Sequence, residues 1–283
     1  MSNEEQFEFW NGEAGQHWAK EDATMARMLR PVSAALLEHA RIEGCQSALD
    51  VGCGGGSQSL MLAEQLGPGA SVLGIDISQP MVEVAREKCD PANKAIASMA
   101  FLQADAAEHA FAPHSFDLLF SRFGVMFFDD PEGAFSNLRQ SLRPGARLAF
   151  CCWQAMPENE WILLPLQAAL QHLPPPPKPA PNAPGPFAFA NPERVKQILG
   201  DSGFADIELE SFRTHVNFAE AATLGQSVRD MATLGPLGKL MAGQEQDVLE
   251  RVYDSMEESL APYFKNGALR MQGAIWFVTA SSP

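Results

Sequence analysis

The sequence predicts an α/β fold built on a mostly parallel sheet, and three observations predict it. From Ser47 onward short apolar strands alternate with amphipathic helical stretches, the pattern of parallel strands joined by crossovers. The segment LDVGCGGGS sets a glycine-rich turn between the first strand and the first helix. Finally, the runs SVLGID, MAFLQA, SFDLLFS and RLAFCCW follow at spacings that leave room for one helix between most of them.

Each element has its own signal. SALDVG is the first strand, and the helix after the turn carries Leu62, Ala63 and Leu66 on one side. SVLGID is the second; Ser78 stands where a helix cap belongs, Pro80 suits the first turn, and Val82, Ala85 and Cys89 share a face. After the fourth strand, Asp130 and Pro131 open a helix through Ala134, Leu138 and Leu142, which Arg143-Pro144-Gly145 terminates. Asn191, Pro192 and Glu193 open another, ended by Gly203, and DIELESF and AIWFVTA read as two closing strands. Residues 1–43 read as a helical cover with a break at Pro31, ahead of a single domain over 44–283. Two insertions interrupt that domain: a stiff arm within 153–190, with eight prolines among residues 174–186, and a helical lid over 219–268, with Val248, Val252, Met256 and Leu260 on one stripe.

Composition narrows the function. At 283 residues and 46% hydrophobic content the chain can bury a substantial core. A net charge of −15 without a Lys/Arg cluster disfavours nucleic acid and anionic membrane and favours a small-molecule partner. Five cysteines without C-x-x-C spacing suggest neither zinc nor a disulfide framework and fit a reducing, cytoplasmic setting. No apolar run reaches the roughly 18 residues of a membrane span, and the acidic start MSNEEQFEFW is no signal peptide. Oligomeric state leaves no mark.

The chemistry concentrates in the turn. Asp50, Gly52, Gly54 and Gly56 stand at alternate positions, and counted from Gly52 the last position of a G-x-G-x-x-G dinucleotide fingerprint holds Ser57, so the match to a dinucleotide site is poor. A carboxylate beside the turn repels a pyrophosphate and attracts an ammonium or sulfonium, and S-adenosylmethionine carries both cations and no phosphate. Asp76, ending the second strand, is placed to accept both ribose hydroxyls, and Asp105 to accept the adenine amino hydrogen, between apolar walls of Ile77, Met81 and Ala106.

Taken in order, DVGCGGG, GIDIS, QADA, SFDLLFSRFGVMFF and LRPGARLAF resemble the successive motifs of class I S-adenosylmethionine-dependent methyltransferases, in particular the ubiquinone/menaquinone C-methyltransferase-like branch. The resemblance covers residues 47–152; one departure is Ala146, where the family has the second glycine of R-P-G-G. It implies a Rossmann-like, seven-stranded sheet with an antiparallel last strand and helices on both faces. It also implies that Asp50, Gly52 and Gly54, with Cys53 in the same turn, hold the methionine end, Asp76 the ribose and Asp105 the adenine. Ser121 and Phe123 would lie beneath the methyl group, and Trp10 and Trp18 of the cover would close on the sulfonium.

In-line displacement, releasing S-adenosylhomocysteine, needs neither a metal nor a covalent intermediate. Of six histidines, His17 in the cover is the first candidate base and His172 a second. Arg122, Trp153 and Gln154 follow the fourth and fifth strands, at the rim where open sheets bind substrate. Two other readings stand beside this one: an adenosylmethionine-binding protein without catalysis, and an NAD-type oxidoreductase opposed by the alternate glycines and Asp50.

Overall fold

A computed structural model describes residues 3–90, 92–177, 180, 182–220, 223–233 and 235–283. Its strands are β1 (Ser47–Val51), β2 (Ser71–Asp76), β3 (Ser98–Gln103), β4 (Phe116–Arg122), β5 (Leu142–Trp153), β6 (Ala205–Glu220), β7 (Phe264–Lys265) and β8 (Ala268–Ser281). The helices are α1 (Asn3–Asn11), α2 (Glu13–Lys20), α3 (Asp22–Ala40), α4 (Ser57–Leu66), α5 (Gln79–Glu87), α6 (Pro131–Gln140), α7 (Glu160–Ala169), α8 (Pro192–Asp201), α9 (Leu224–Met231), α10 (Gly235–Met241) and α11 (Gln246–Leu260). The chain forms two compact units, one of residues 1–153, 182–212 and 275–283, the other of 154–181 and 213–274.

The first unit holds most of the sheet, whose order is β3-β2-β1-β4-β5-β8-β6 with β7 paired to β8. Strands β1 to β5 pair parallel and β8 runs antiparallel to β5, which is the expected Rossmann-like arrangement. Its centre is apolar because the middle strands are covered on both sides: Leu49, Leu118, Phe120, Leu148 and Phe150 are all fully buried. This arrangement lines up the C-terminal ends of β1, β2 and β4, so whatever follows those strands meets at one rim.

Three local expectations change. Pro31 does not break α3, which runs unbroken through it. A proline inside a helix costs about 3 kcal/mol, but Met28, Leu29, Val32, Leu36, Leu37 and Ala40 are buried along this helix, at roughly 1.5–3 kcal/mol for each large side chain. Burial wins. Arg143-Pro144-Gly145 is not the end of α6, which stops at Gln140; the tripeptide lies within β5, whose pairing with β4 shifts between Phe116 and Leu118. Gly145 donates to Ser282 O at 2.7 Å, holding the irregularity in place. Ser78 caps nothing; its hydroxyl donates instead to the carbonyl of Trp10 at 2.7 Å. By contrast Asp130 and Asn191 do accept from the first turns of α6 and α8.

In the second unit, α7 and α9–α11 pack around Val228, Leu237, Val252, Met256 and Leu260, and β7 forms a short hairpin with the start of β8. The stripe on α11 is buried at Val252, Met256 and Leu260, with Val248 only half covered. Of the proline-rich arm, Lys178, Pro179 and Pro181 lie outside the described residues.

Candidate active site

The glycine turn is shaped by a close crossing of two backbones. Gly52 has φ +66°, and a Cβ there would stand 2.6 Å from Cα of Gly124, in the turn that follows β4. Gly124 is equally confined, with Val51 O at 2.6 Å from the position of its own Cβ. Two glycines therefore meet where side chains do not fit, and the crossing draws the ends of β1 and β4 together. The next β4 residues lock it: Ser121 Oγ donates to Val51 O at 2.7 Å, and Phe123 sits at φ +63°, a conformation that costs a non-glycine residue about 1–2 kcal/mol. Phe123 is held there by a 4.3 Å stacked contact with Trp153.

Asp76 organises the other side. Its two carboxylate oxygens accept from Gly54 N at 2.8 Å and Ser78 N at 2.9 Å, joining the turn to the end of β2. Burial pushes this carboxyl above its usual range, while the N–H groups of Ser78, Gly54 and Ile77 oppose the shift. Met81 Cε lies 3.2 Å from where a Cβ of Gly54 would be, so one wall of the site is apolar. Ala106 is buried beside Asp105, which accepts from Ala107 N at 2.8 Å and is also shifted up by burial. Ile77 offers its carbonyl to Asn11 Nδ2 at 3.0 Å and Gln103 Nε2 at 3.1 Å. The side chain of Cys53 joins the apolar cluster of Val82, Ala85 and Phe101, with its Sγ donating to Gly54 O at 3.7 Å.

Asp50 lies beneath the turn, 1% exposed. Ser59 donates to its Oδ2 at 2.5 Å, and Oδ1 is buried without a hydrogen-bond partner. Desolvation raises its pKa to about 7, against the lowering effects of Ser59 and the Arg122 charge. Arg122 reaches α3, donating from Nη1 to Ser33 Oγ at 2.8 Å, and its Nε is likewise buried and unpartnered.

The cover is fastened to the same rim. Asn11 bridges Ile77 O and Gln79 N, its Oδ1 accepting from the latter at 2.8 Å. Trp10 packs edge-on to Trp18 at 6.3 Å and to Phe127 at 5.4 Å. His17 Nε2 is buried without a partner on α2. Lys88 donates to Asp22 Oδ2 at 2.5 Å, to Ser57 Oγ at 2.9 Å and to the carbonyl of Gly55, tying the turn to the first residue of α3.

The structure thus brings Asp50, Gly52, Gly54, Asp76, Ile77, Met81 and Ser121 around one turn, with Phe123, just after β4, stacked on Trp153, the last residue of β5. The boundary between the two units falls between Trp153 and Gln154. Gln154 is buried in the second unit, its N–H bonded to Ala274 O, and His172 Nε2 lies 2.7 Å from Ser255 Oγ there. Ser33, Ser59, Asn11, Lys88 and Gly124 were not foreseen. Gly124 stands in S-R-F-G and Ser59 two residues after Ser57, both beside anticipated residues; Asn11, Ser33 and Lys88 reach the site from remote positions and carry no local signal.

The methyltransferase domain family matches residues 49–150. Nocamycin O-methyltransferase from Saccharothrix syringae is 33% identical over 147 residues, 52% of each chain. Demethylmenaquinone methyltransferase from Listeria welshimeri is 33% identical over 109 residues, 38% of this chain and 45% of that protein. The chain spans about half the length of the curated relatives it matches. Among solved structures, phosphoethanolamine N-methyltransferase 2 of Haemonchus contortus, bound to phosphomonomethylethanolamine and S-adenosylhomocysteine, shares the fold with TM-score 0.57. That likeness has 19% identity and covers 97% of this chain and 59% of that one. This match lies over the glycine turn and the strands that frame it, so residues 49–150 are similar to a methyltransferase domain.

Proposed function

We propose that this protein transfers a methyl group from S-adenosylmethionine to a small organic acceptor. The observation that carries the reading is Asp50: a buried carboxylate with an unsatisfied oxygen, directly under a turn whose glycines leave the backbone bare. Buried polar atoms nearly always have partners. Among the described residues those with a buried side-chain atom without one are Gln6, His17, Asp50, Gln58, Arg122 and Arg194, and all but Arg194 sit on the cover, near the ends of β1 and β4, or in the first turn of α4. A polar, cationic ligand fits that demand, and three carboxylates at the ends of successive elements do not fit a phosphate.

The residues divide the work. Asp50 and the turn take the methionine end, Asp76 the ribose, and Asp105, Ile77, Met81 and Ala106 the adenine, while Trp10 and Trp18 offer aromatic faces to positive charge. Bound donor supplies an electrophilic methyl and a good leaving group. Ser121 and the stacked Phe123 and Trp153 border the reacting centre and orient the acceptor; alignment of this kind lowers a barrier by roughly 7–11 kcal/mol in favourable cases. His17 is the first candidate to accept a proton from a hydroxyl acceptor. The relatives named for nocamycin and demethylmenaquinone support a small acceptor. The acidic surface, with net charge −15, points the same way, and the five thiols, all free, suit the cytoplasm.

Calorimetry is expected to show S-adenosylhomocysteine binding and NAD not binding; no association with either S-adenosyl compound overturns the reading. Asp76→Ala removes an acceptor that serves both the ribose and two backbone N–H groups, and is expected to weaken binding about 100-fold, from charged hydrogen bonds of roughly 1.5–3 kcal/mol each. Labelled methyl from the donor should appear in small molecules of a metabolite extract. Label on protein or tRNA alone would refute the acceptor class.

A further inference from the structure

One amide of the cover is held at one end only. Gln6, on α1, is 4% exposed, and its Oε1 accepts from Trp10 Nε1 at 3.1 Å, one helical turn further on. An indole N–H only donates, so the carbonyl end of the amide faces Trp10 and the NH2 end points away from it. That Nε2 is buried and has no partner among the described residues. Its neighbours place it at the rim. Trp10 packs edge-on to Phe127, in the turn after β4, and its carbonyl accepts from Ser78, just after β2, so the end of α1 bridges the exits of both strands. Another unsatisfied atom of the cover, His17 Nε2, belongs to the residue before Trp18, whose ring is 6.3 Å from that of Trp10.

We infer that Gln6 reads an oxygen of the methyl acceptor, its amide N–H donating to a carbonyl or hydroxyl carried on an apolar body. The inference rests on the function proposed above and names the acceptor class. An NH2 group demands an acceptor atom, and the linked rings of Trp10, Trp18 and Phe127 offer an apolar wall for the rest of the molecule. The oxygen belongs to an uncharged group. The amide is neutral, and α1 carries Glu4, Glu5 and Glu8 with no Lys or Arg, so a carboxylate or phosphate buried against it finds no counter-charge on this helix. Gln6 is therefore a specificity-determining residue: an analogue without the oxygen leaves the amide unsatisfied, and an anionic one is repelled.

The test uses protein saturated with S-adenosylhomocysteine and three probes of one shape: α-tetralone, tetralin, which lacks the oxygen, and the tetralin carboxylate, an anion. Calorimetry is expected to rank them in that order, with tetralone ahead of tetralin by about tenfold, the scale of one buried hydrogen bond. The side-chain amide signal of Gln6 in the NMR spectrum should move with tetralone and not with tetralin. Gln6→Met should bring the preference below about twofold while S-adenosylhomocysteine affinity stays within about twofold. If that variant does not fold, Gln6→Glu keeps an oxygen for Trp10 without the NH2 group and is expected to lose the preference as well. A preference that survives in either variant overturns the inference and leaves the proposed function standing. So does an unaltered protein that binds S-adenosylhomocysteine but not tetralone, or that takes tetralin or the carboxylate as tightly. A larger loss of S-adenosylhomocysteine affinity in Gln6→Met overturns it too, because the amide would then be reading the donor. Failure of the unaltered protein to bind S-adenosylhomocysteine overturns both.

Discussion

Gly52→Ala is expected to destabilise the protein by about 2–5 kcal/mol and to abolish donor binding. The φ of +66° costs an L-residue about 1–2 kcal/mol. The added methyl would also stand 2.6 Å from Cα of Gly124, a backbone atom that no rotamer change can move aside, and overpacking of this kind costs about 1–3 kcal/mol. Gly44→Ala is the control, since Gly44 has φ +84° but nothing within 4 Å of the new Cβ. It should lose only the conformational part. Denaturant midpoints measure the difference, and equal losses in the two variants would show that the Gly52–Gly124 crossing does not constrain the turn.

The second large effect concerns pH. The Asp50 carboxyl titrates at about 7 in the folded protein and at its ordinary 3.8 once unfolded. Between those values the folded chain holds a proton that the unfolded chain has released, so this group makes stability fall as pH rises from about 4 to about 7. Above that the loss is complete and on the order of 4 kcal/mol. Asp50→Asn keeps the shape and removes the charge; it should be the more stable protein at pH 8 and lack this fall. Donor binding follows the opposite slope, because an ammonium favours the ionised carboxylate. Affinity for S-adenosylhomocysteine should rise by up to tenfold per pH unit between pH 5 and 7, with one proton released, as read by calorimetry in buffers of different ionisation enthalpy. If Asp50→Asn binds with the same affinity and proton release, Asp50 does not face the ligand's ammonium.

Much of the site was legible because its determinants are local. Alternating glycines after an apolar strand, an acid ending the next strand and S-R-F at the end of the fourth are each marked by the residues immediately around them, and the parallel register lines them up. What escaped notice depends on distance along the chain. Ser33 meets Arg122 across 89 residues and Asn11 meets Ile77 across 66, and no spacing rule anticipates either. Pro31 signals a break in the sequence because its local penalty is visible there, while the burial that outweighs it belongs to the tertiary fold. Likewise Arg143-Pro144-Gly145 has the composition of a helix end but is retained inside a strand by Ser282, near the other end of the chain. The boundary between the two units passes through β6 and β8 at 212/213 and 274/275, within continuous strands, where composition does not change.

The carboxylate of Asp22 lies against Gly55, one residue before the cap of α4, and Lys88 neutralises it there. In nucleotide-binding relatives of this architecture the same place, in front of the first crossover helix, receives the phosphoryl oxygens. The protein has filled that seat with an acid of its own. Cellular ATP, present far above most metabolites, therefore has nowhere to lodge its triphosphate, and millimolar ATP should leave S-adenosylhomocysteine binding unchanged.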